Sequence, residues 1–297
     1  MHVVVTGGHG FIGQHLIPTL LDRKHAVTVL DLLPQPATLQ PLGYSFHQGD
    51  LLNERWLSDA WPKNTDAVIH LVAQANMAAA QADPAKSFNM SIGSLERVLE
   101  QCRAARPRRV LFPSAAAVYG SNPPVPATED AAIAPTNIYS YHKRIGELLL
   151  QSHAESYDFG WTVLRLYNVY GRGQRGVIGV AVKAARSGQV FKLSGGEQLR
   201  DFVYVGDVAD AFALAVETPQ AANRAFNIGS GMALTIRQIV SLVKDLYPNL
   251  SVEGTPFTGS PFHSVADNRL ARRVLGWHPH DTQEFFKERI AQEMSHD

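Results

Sequence analysis

The segment 3–13, VVVTGGHGFIG, constrains the fold of this chain more than any other part of the sequence. Its three β-branched valines predict a buried strand, and the apolar residues after the glycines predict a helix. The first glycine of the spacing permits a tight turn, the second lets backbone approach a phosphate, and the third lets helix and strand pack closely. Because a helix N-terminus also offers N–H groups and a positive dipole end, the segment predicts a pyrophosphate site, although glycine spacing alone also fits an ordinary turn. The predicted contacts are Gly7, Gly10, Phe11, Ile12 and Gly13.

A carboxylate at the end of the second predicted strand strengthens this interpretation. The run AVTVLD ends on Asp31, eighteen residues after Gly13, where a dinucleotide-binding fold places the acid that bonds the adenosine ribose. The residues that follow, Leu32, Leu33 and Pro34, offer no positive charge to a 2′-phosphate. The sequence therefore predicts that NAD is the cofactor and is preferred over NADP.

Composition limits the classes of partner. Twenty-seven basic and twenty-seven acidic residues cancel over 297 residues, so no overall field favours nucleic acid or an anionic membrane. The single cysteine, Cys102, excludes an internal disulfide, and the chain opens in a strand without a leader pattern, so we expect a cytoplasmic protein. The twelve histidines show no ligand spacing, so no metal site is expected.

Strands and helices alternate through the first half of the chain. The apolar run 67–73 predicts a central parallel strand, and 83–106 predicts one long helix. Such alternation predicts an α/β fold with a doubly wound parallel sheet that binds ligands at the carboxyl ends of its strands. The buried side of the long helix is predicted to carry Phe88, Ile92, Leu95, Val98, Leu99 and Cys102.

Further cofactor contacts are predicted at the strand exits. Asp50 could hold an adenine edge, cap a helix that begins at Glu54, or do both. Asn89 lies among the apolar positions of the long helix, so its amide could bind cofactor or only backbone. The predicted contacts are Asp50, Leu51, Leu71, Ala73, Gln74 and Asn89.

A tyrosine and a lysine form the candidate acid/base pair. Tyr139 and Lys143 are four residues apart, so on a helix they share a face. An ammonium beside a phenol favours the phenolate, which would let the tyrosine exchange a proton near neutrality. The same spacing also arises by chance in many helices.

A set of motifs in a fixed order resembles the extended short-chain dehydrogenase/reductases that act on nucleotide sugars, most closely the UDP-glucose 4-epimerase-like group. The motifs are TGGHGFIG, Asp31, Asp50-Leu51, HLVA at 70–73, 114–120, Tyr139-x-x-x-Lys143, RLYN at 165–168, RDFVYV at 200–205, FNIG at 226–229 and LGW at 275–277. The resemblance implies that Tyr139 is the acid/base and that Lys143 bonds the nicotinamide ribose and lowers the tyrosine pKa. It also implies a homodimer, with Asn168 at the mouth of the sugar pocket and Arg200 on the diphosphate.

Arg200 has independent support from its surroundings. It follows a glycine turn and precedes an apolar strand, so its guanidinium could reach phosphate oxygens. A surface salt bridge to Asp201 or Glu197 is the alternative. Phe191 and Leu193 are the candidates for stacking on the base.

The chain departs from the family pattern at two places. The hydroxyl residue usually found four residues before the VYG tyrosine is Ala115 here, and Ser114 stands one residue early. Either Pro113 creates a bulge that turns Ser114 into the cleft, or the hydroxyl is missing and water or substrate fills its place. Near the C-terminus, Pro256, Phe257 and Thr258 occupy the stretch where the family often supplies a second diphosphate arginine, and Arg269 is close but out of register.

Together these features predict a Rossmann-type domain formed by residues 1–167 plus about 202–230. A smaller C-terminal α/β domain, about 168–201 plus 231–297, would bind the nucleotide-diphosphate sugar. The predicted reaction is NAD-dependent C4 epimerisation through a 4-keto intermediate. A 4-keto-sugar reductase and a catalytically weak NAD-binding protein are the alternatives, whereas 4,6-dehydration is disfavoured because Ala116 and Ala117 cannot transfer protons.

Overall fold

The computed structural model describes residues 1–173, 176–256 and 263–293. The strands in these residues are β1 (His2–Thr6), β2 (Ala26–Asp31), β3 (Ser45–Gln48), β4 (Ala67–His70), β5 (Arg109–Ala115), β6 (Gly160–Leu166), β7 (Asn168–Tyr170), β8 (Val190–Ser194), β9 (Leu199–Tyr204), β10 (Arg224–Ile228), β11 (Ala233–Thr235) and β12 (Ser251–Thr255). The α-helices are α1 (Phe11–Asp22), α2 (Glu54–Ala60), α3 (Met77–Ala82), α4 (Pro84–Phe88), α5 (Ser94–Ala105), α6 (Ile138–Tyr157), α7 (Val177–Ser187), α8 (Val205–Glu217), α9 (Ile236–Leu246), α10 (Arg269–Leu275) and α11 (Gln283–Glu293).

Seven parallel strands form the central sheet, in the order β10-β6-β5-β4-β1-β2-β3. The chain builds outward from β1 through β2 to β3, then crosses to the other side of β1 and continues from β4. In open parallel sheets ligands bind at the carboxyl ends of the strands, beside such a switch in direction. The doubly wound, Rossmann-type α/β fold predicted from the alternation of elements is therefore confirmed.

Both faces of this sheet are covered by helices. Val3 and Val5 of β1 join a hydrophobic cluster with residues of α1 and α8, whereas Val4 joins a cluster on the other face with residues of α5 and α6. Successive strand residues point to opposite faces, so a strand covered on both sides is apolar at every position. The unbroken run of valines in the sequence is the direct result.

A second group of elements lies C-terminal to β6. It contains a three-stranded sheet (β11-β9-β7), a two-stranded sheet (β12-β8) and the helices α7, α9 and α11, whose apolar side chains form their own cluster. Between them the chain returns to the central sheet as β10, which pairs with β6. The domain boundaries near residues 167, 201 and 230 stay predictions.

The predicted long helix 83–106 is interrupted. A π-helical segment, Asn89–Gly93, separates α4 from α5. The wider turn rotates the residues before it relative to those after it, so a regular 3.6-residue period does not hold across it. The prediction that Phe88 is buried is therefore wrong: its side chain is 44% exposed, and Asn89 is exposed as well. Ile92, Leu95, Val98, Leu99 and Cys102, which lie within or beyond the wide turn, are buried as predicted.

Candidate cofactor and substrate site

The glycine-rich turn joins β1 to α1 in the geometry that a pyrophosphate needs. Gly7 has φ +73°, a left-handed conformation, and a Cβ on Gly13 would collide with the Gly8 carbonyl. Gly10 is the N-cap residue of α1, and no described side chain caps that helix. The first N–H groups of α1 and the positive end of its dipole therefore face the carboxyl edge of the sheet. This is an observed cradle that fits the diphosphate of a dinucleotide.

Asp31 lies beside this turn at the end of β2. Its side chain is buried, and its oxygens accept hydrogen bonds from the His9 N–H (2.7 Å) and the Leu33 N–H (2.8 Å). Each carboxylate oxygen can accept a further hydrogen bond. The residue can therefore receive the two hydroxyls of an adenosine ribose.

At the exit of β3, Leu51 is buried and Asp50 is exposed. The Asp50 carboxylate accepts a hydrogen bond from the Leu52 N–H (2.9 Å), whereas Asn53 is the N-cap of α2 and accepts one from the Trp56 N–H. The alternative in which Asp50 caps that helix is therefore wrong. Its contact with adenine stays a prediction.

The segment that follows β4 is half-buried. Leu71, Ala73 and Gln74 run along the carboxyl edge, and the Gln74 N–H donates to the Ser91 hydroxyl at 3.0 Å. Asn89 lies on the exposed side of the π-helical segment instead of among apolar side chains. The cofactor contacts of these four residues stay predictions.

A cavity of about 390 Å³ opens at the carboxyl edge of β5 and β6. It brings together Tyr139, Asn168 and Arg200, three predicted site residues that are far apart in sequence. Three serine and threonine residues in its wall were not predicted, because they come from loops that carry no local signal; they are Ser121, Thr136 and Ser264.

Tyr139 lies in the first turn of α6, which begins with a capping box formed by Asn137 and Ser140. Lys143 shares its face of the helix as predicted, and the Lys143 Nζ lies 5.9 Å from the centre of the Tyr139 ring. That Nζ donates a 2.7 Å hydrogen bond to the carbonyl of Pro113 in β5.

The acidities of this pair differ from the prediction. Burial raises the pKa of Tyr139 to about 12, whereas a pKa lowered by the lysine was expected. Burial also lowers the pKa of Lys143 to about 8, against an opposing effect of the Glu147 charge. The predicted lowering is wrong for this structure because burial dominates the tyrosine pKa; the Lys143 ammonium is directed at a backbone carbonyl of β5.

Ala115 and Ser114 occupy opposite sides of β5. The β5–β6 ladder keeps continuous register through Ser114↔Arg165 and Ala115↔Leu166, so the predicted bulge is not formed. Ala115 lines the cavity, but Ser114 is buried away from it, and its hydroxyl has no hydrogen-bond partner among the described residues. The structure therefore contradicts Ser114 as a catalytic candidate and favours the alternative of a missing hydroxyl.

Asn168 and Arg200 both line the cavity. The Asn168 amide donates to the Asp201 carbonyl at 2.8 Å, and burial lowers the pKa of Arg200. The expected salt-bridge partners of Arg200 are engaged elsewhere. Glu197 pairs with Arg237 at 2.8 Å, and the buried Asp201 carboxylate accepts hydrogen bonds from the loops around Ser230 and Ala266.

The two candidates for base stacking are core residues. Phe191 is 6% exposed and Leu193 is 5% exposed, and both belong to the hydrophobic cluster of the second group of elements. Along β8 these two positions face inward while the alternate positions are exposed. The prediction that they stack on a base is therefore wrong.

The second departure from the family pattern is only partly visible. Pro256 follows β12, while Phe257 and Thr258 lie outside the described residues. Arg269 begins α10, and its 84% exposed side chain pairs with Asp267. Arg269 does not line the cavity that contains Arg200.

Three motif residues form a buried network. The Arg165 guanidinium makes two 3.1 Å bonds to the carboxylate of Glu147, which is fully buried in α6, and a 2.9 Å bond to the Tyr119 hydroxyl. That hydroxyl donates to Asn227 at 2.7 Å. The RLYN, VYG and FNIG motifs thus share a structural role, because they tie β6, β10 and α6 together beside the cavity.

One group of potential metal ligands lies at the surface of α5 and α6: Glu96, Glu100 and His153, with ligand atoms within 4.8 Å of one another. Glu100 is paired with Arg103 at 2.9 Å, and exposed acidic groups are common without a metal. The expectation of no metal site stays a prediction.

The glycine cradle and the buried acid on β2, beside a tyrosine-lined cavity, fit a dinucleotide enzyme. The model of the NAD dependent epimerase/dehydratase family matches residues 3–229. The chain belongs to this family.

Its similarity to UDP-glucose 4-epimerases extends over nearly the whole chain. It is 30% identical over 294 residues to UDP-glucose 4-epimerase of Mycolicibacterium smegmatis, which covers 94% of both chains. The solved UDP-glucose 4-epimerase of Thermotoga maritima with UDP-glucose has a TM-score of 0.89 at 29% identity and covers 99% of this chain and 98% of that chain. The Thermus thermophilus UDP-glucose 4-epimerase complex with NAD has a TM-score of 0.87 at 30% identity and covers 100% and 98%. The family predicted from the motifs is confirmed.

Within the described ranges, no helix is both long enough and apolar enough to cross a bilayer.

Proposed function

We propose that the protein is an NAD-dependent nucleotide-sugar epimerase that inverts C4 of a hexose bound through its diphosphate. The observation that carries this proposal is the cavity that joins Tyr139, Asn168 and Arg200 at the carboxyl edge of the sheet that bears the glycine cradle. The full-length similarity to UDP-glucose 4-epimerases supports it. UDP-hexoses are the first substrates to test.

In this proposal the sugar is oxidised at C4, turns in the cavity and is reduced on its other face. Bound NAD would supply the hydride acceptor for the oxidation and the hydride donor for the reduction, held by the glycine cradle and Asp31. Tyr139 takes the O4 proton during oxidation and gives it back during reduction. Because burial raises the pKa of Tyr139 to about 12, a cation must help the phenol lose its proton, and Lys143 is the cation on the same helix face.

The remaining cavity residues hold the substrate. Arg200 binds the diphosphate, because a guanidinium makes paired hydrogen bonds to phosphate oxygens. Asn168 lies beside it and fixes the sugar end of the pocket. Ala116 and Ala117 also line the cavity, and since neither can transfer a proton, the site is suited to epimerisation rather than to 4,6-dehydration.

The test is the interconversion of UDP-glucose and UDP-galactose followed by NMR, with wild type and Tyr139→Phe compared. We expect turnover by wild type without net coenzyme consumption, and a loss of about 10²–10⁴-fold in kcat for the variant, which lacks the acid/base group. Bound NAD in the variant, measured after denaturation, controls for misfolding. Normal turnover by Tyr139→Phe refutes the mechanism, and net oxidation of NADH with a keto sugar would indicate a reductase instead.

We also propose that the protein is a homodimer. Tyr141, Ile145 and Leu148 form an apolar stripe on the outer face of α6 and are 53%, 38% and 48% exposed, and Phe88 is exposed on the adjacent α4. Exposed apolar patches of this kind mark association sites, and a self-complementary patch gives a two-fold dimer. Light scattering should give twice the 32.5 kDa chain mass. Ile145→Glu should give the monomer mass, and a monomeric wild type would contradict the proposal.

A cytoplasmic location is proposed on the basis of the cysteine content. Cys102 is the single cysteine of the chain and is fully buried, so the fold makes no use of an oxidising compartment.

A further inference from the structure

His9 occupies an unusual place within the glycine-rich turn. It stands between Gly8 and Gly10, yet its side chain is only 2% exposed. The imidazole packs against the ring of Phe46 in β3, with 4.5 Å between ring centres. A large aromatic side chain therefore fills the space between the cradle and the edge of the sheet next to Asp31.

The imidazole is held by two hydrogen bonds. Its Nδ1 lies 3.1 Å from the carbonyl oxygen of Leu33, and its Nε2 lies 3.1 Å from the Tyr44 hydroxyl. A carbonyl oxygen only accepts, so Nδ1 carries the proton, and in the neutral ring Nε2 accepts from the tyrosine. The ring thus ties the turn after β1 to the loop after β2.

These contacts close a loop of bonds around Asp31. The His9 N–H donates to one carboxylate oxygen, the Leu33 N–H donates to the other, and the His9 ring donates to the Leu33 carbonyl. The carboxylate therefore cannot rotate without breaking a charge-assisted hydrogen bond, and Leu33 cannot move outward while His9 holds it. A ribose bearing a 2′-phosphate would meet a fixed negative charge in a loop that cannot open.

We propose that His9 is a positioning residue that sets the discrimination between NAD and NADP by locking Asp31 and the Leu33 loop. The inference rests on the proposed placement of the adenosine ribose at Asp31. His9 acts through Asp31 and is not itself a ligand of the phosphate. Without the ring, the His9 N–H still holds one carboxylate oxygen, but the Leu33 loop yields and its N–H leaves the other oxygen, so the penalty against NADP falls.

The test is calorimetric titration of NAD and NADP into wild type and His9 variants, with the ratio of the two dissociation constants as the readout. For His9→Ala we expect the NADP-to-NAD ratio to fall by about tenfold, the upper end of what one hydrogen bond between uncharged groups contributes, because the ring donates to the Leu33 carbonyl. His9→Asn should keep a ratio near that of wild type, because its amide N–H lies where Nδ1–H was and can still donate to the Leu33 carbonyl. His47→Ala is the matched control, since His47 is an exposed histidine on β3.

A purely structural role for His9 would weaken both dinucleotides equally and leave the ratio unchanged, and that result overturns the proposal. If His9→Ala does not fold, His9→Gln replaces it. The longer glutamine side chain does not place its N–H at the Leu33 carbonyl, so the NADP-to-NAD ratio should fall for His9→Gln and stay near that of wild type for His9→Asn. Equal ratios in the Asn and Gln variants also overturn the inference. A changed ratio in a protein without epimerase activity would sustain this inference and refute the proposed function, whereas a wild type that binds neither dinucleotide refutes both.

Discussion

Ala115→Ser should accelerate the enzyme. Ala115 lines the substrate cavity together with Tyr139, and its extended backbone (φ −143°, ψ 150°) accepts serine without strain. The added hydroxyl would face the sugar oxygen on which charge develops. Adding one preorganised donor can stabilise the transition state by on the order of 3 kcal/mol, or about 10²-fold in rate.

Part of this gain is offset in the free protein. A hydroxyl added at a position that is 7% exposed must be desolvated, and an unpaired buried hydroxyl costs about 1–3 kcal/mol. The remaining gain is about 0–2 kcal/mol, so we expect kcat to rise by up to about 30-fold, with a small loss of thermal stability. Steady-state conversion of UDP-galactose to UDP-glucose, with thermal unfolding in parallel, measures both effects.

Two matched variants make the result interpretable. Ser114→Ala removes the neighbouring hydroxyl, which is buried and unpaired, so kcat should stay unchanged and stability should rise slightly. Ala117→Ser adds a hydroxyl elsewhere in the cavity wall and should not reproduce the acceleration. A drop in kcat for Ser114→Ala, with no gain for Ala115→Ser, would refute the account of the missing hydroxyl.

Two further predictions concern stability. Glu147→Gln leaves the buried Arg165 without its carboxylate and should lower the free energy of unfolding by about 3–5 kcal/mol. Glu100→Gln breaks the exposed pair with Arg103 and should lower it by less than about 1 kcal/mol. Urea titration of both variants compares the two losses directly, and equal losses would contradict the structural role of the buried network. His70 is fully buried, and burial, together with the Lys143 charge, lowers its pKa to about 3. As pH falls below the usual histidine pKa near 6.5, the unfolded chain therefore binds a proton at His70 before the folded chain does. The stability that neutral His70 contributes is complete above about pH 6.5 and is lost toward pH 3, with about 2 kcal/mol lost at pH 5. His70→Gln should therefore reduce the fall in the free energy of unfolding between about pH 7 and 5. An unchanged slope against pH would refute this prediction.

Features that depend on local backbone could be predicted from the sequence. The glycine turn, Asp31 at the end of a strand, and Tyr139 and Lys143 on one helical face follow from short-range spacing, and each lies where that spacing indicates. The buried valines of β1 follow from the requirement that a strand covered on both faces be apolar throughout.

Features that depend on distant contacts could not be predicted. Burial in the folded chain raises the pKa of Tyr139, and the Lys143 ammonium bonds the carbonyl of Pro113, thirty residues away. Phe191 and Leu193 alternate with exposed residues, but alternation does not tell which face meets the core and which meets a ligand. The exposure of Phe88 follows from a π-helical turn that the periodicity of the sequence did not indicate.

The hydroxyl groups of the cavity wall illustrate the same limit. Ser121, Thr136 and Ser264 come from separate loops and converge only in the folded chain. No motif marks them, since each is an ordinary loop residue in its own segment.

The most direct test of C4 epimerisation in this cavity uses UDP-glucose carrying deuterium at C4. The account predicts that the UDP-galactose formed in ordinary water retains the deuterium at C4, because the hydrogen removed in the oxidation is the one returned in the reduction, and that the label is redistributed to no other carbon. Loss of the deuterium to solvent, or product formation only when NADH is added and consumed, would contradict the account.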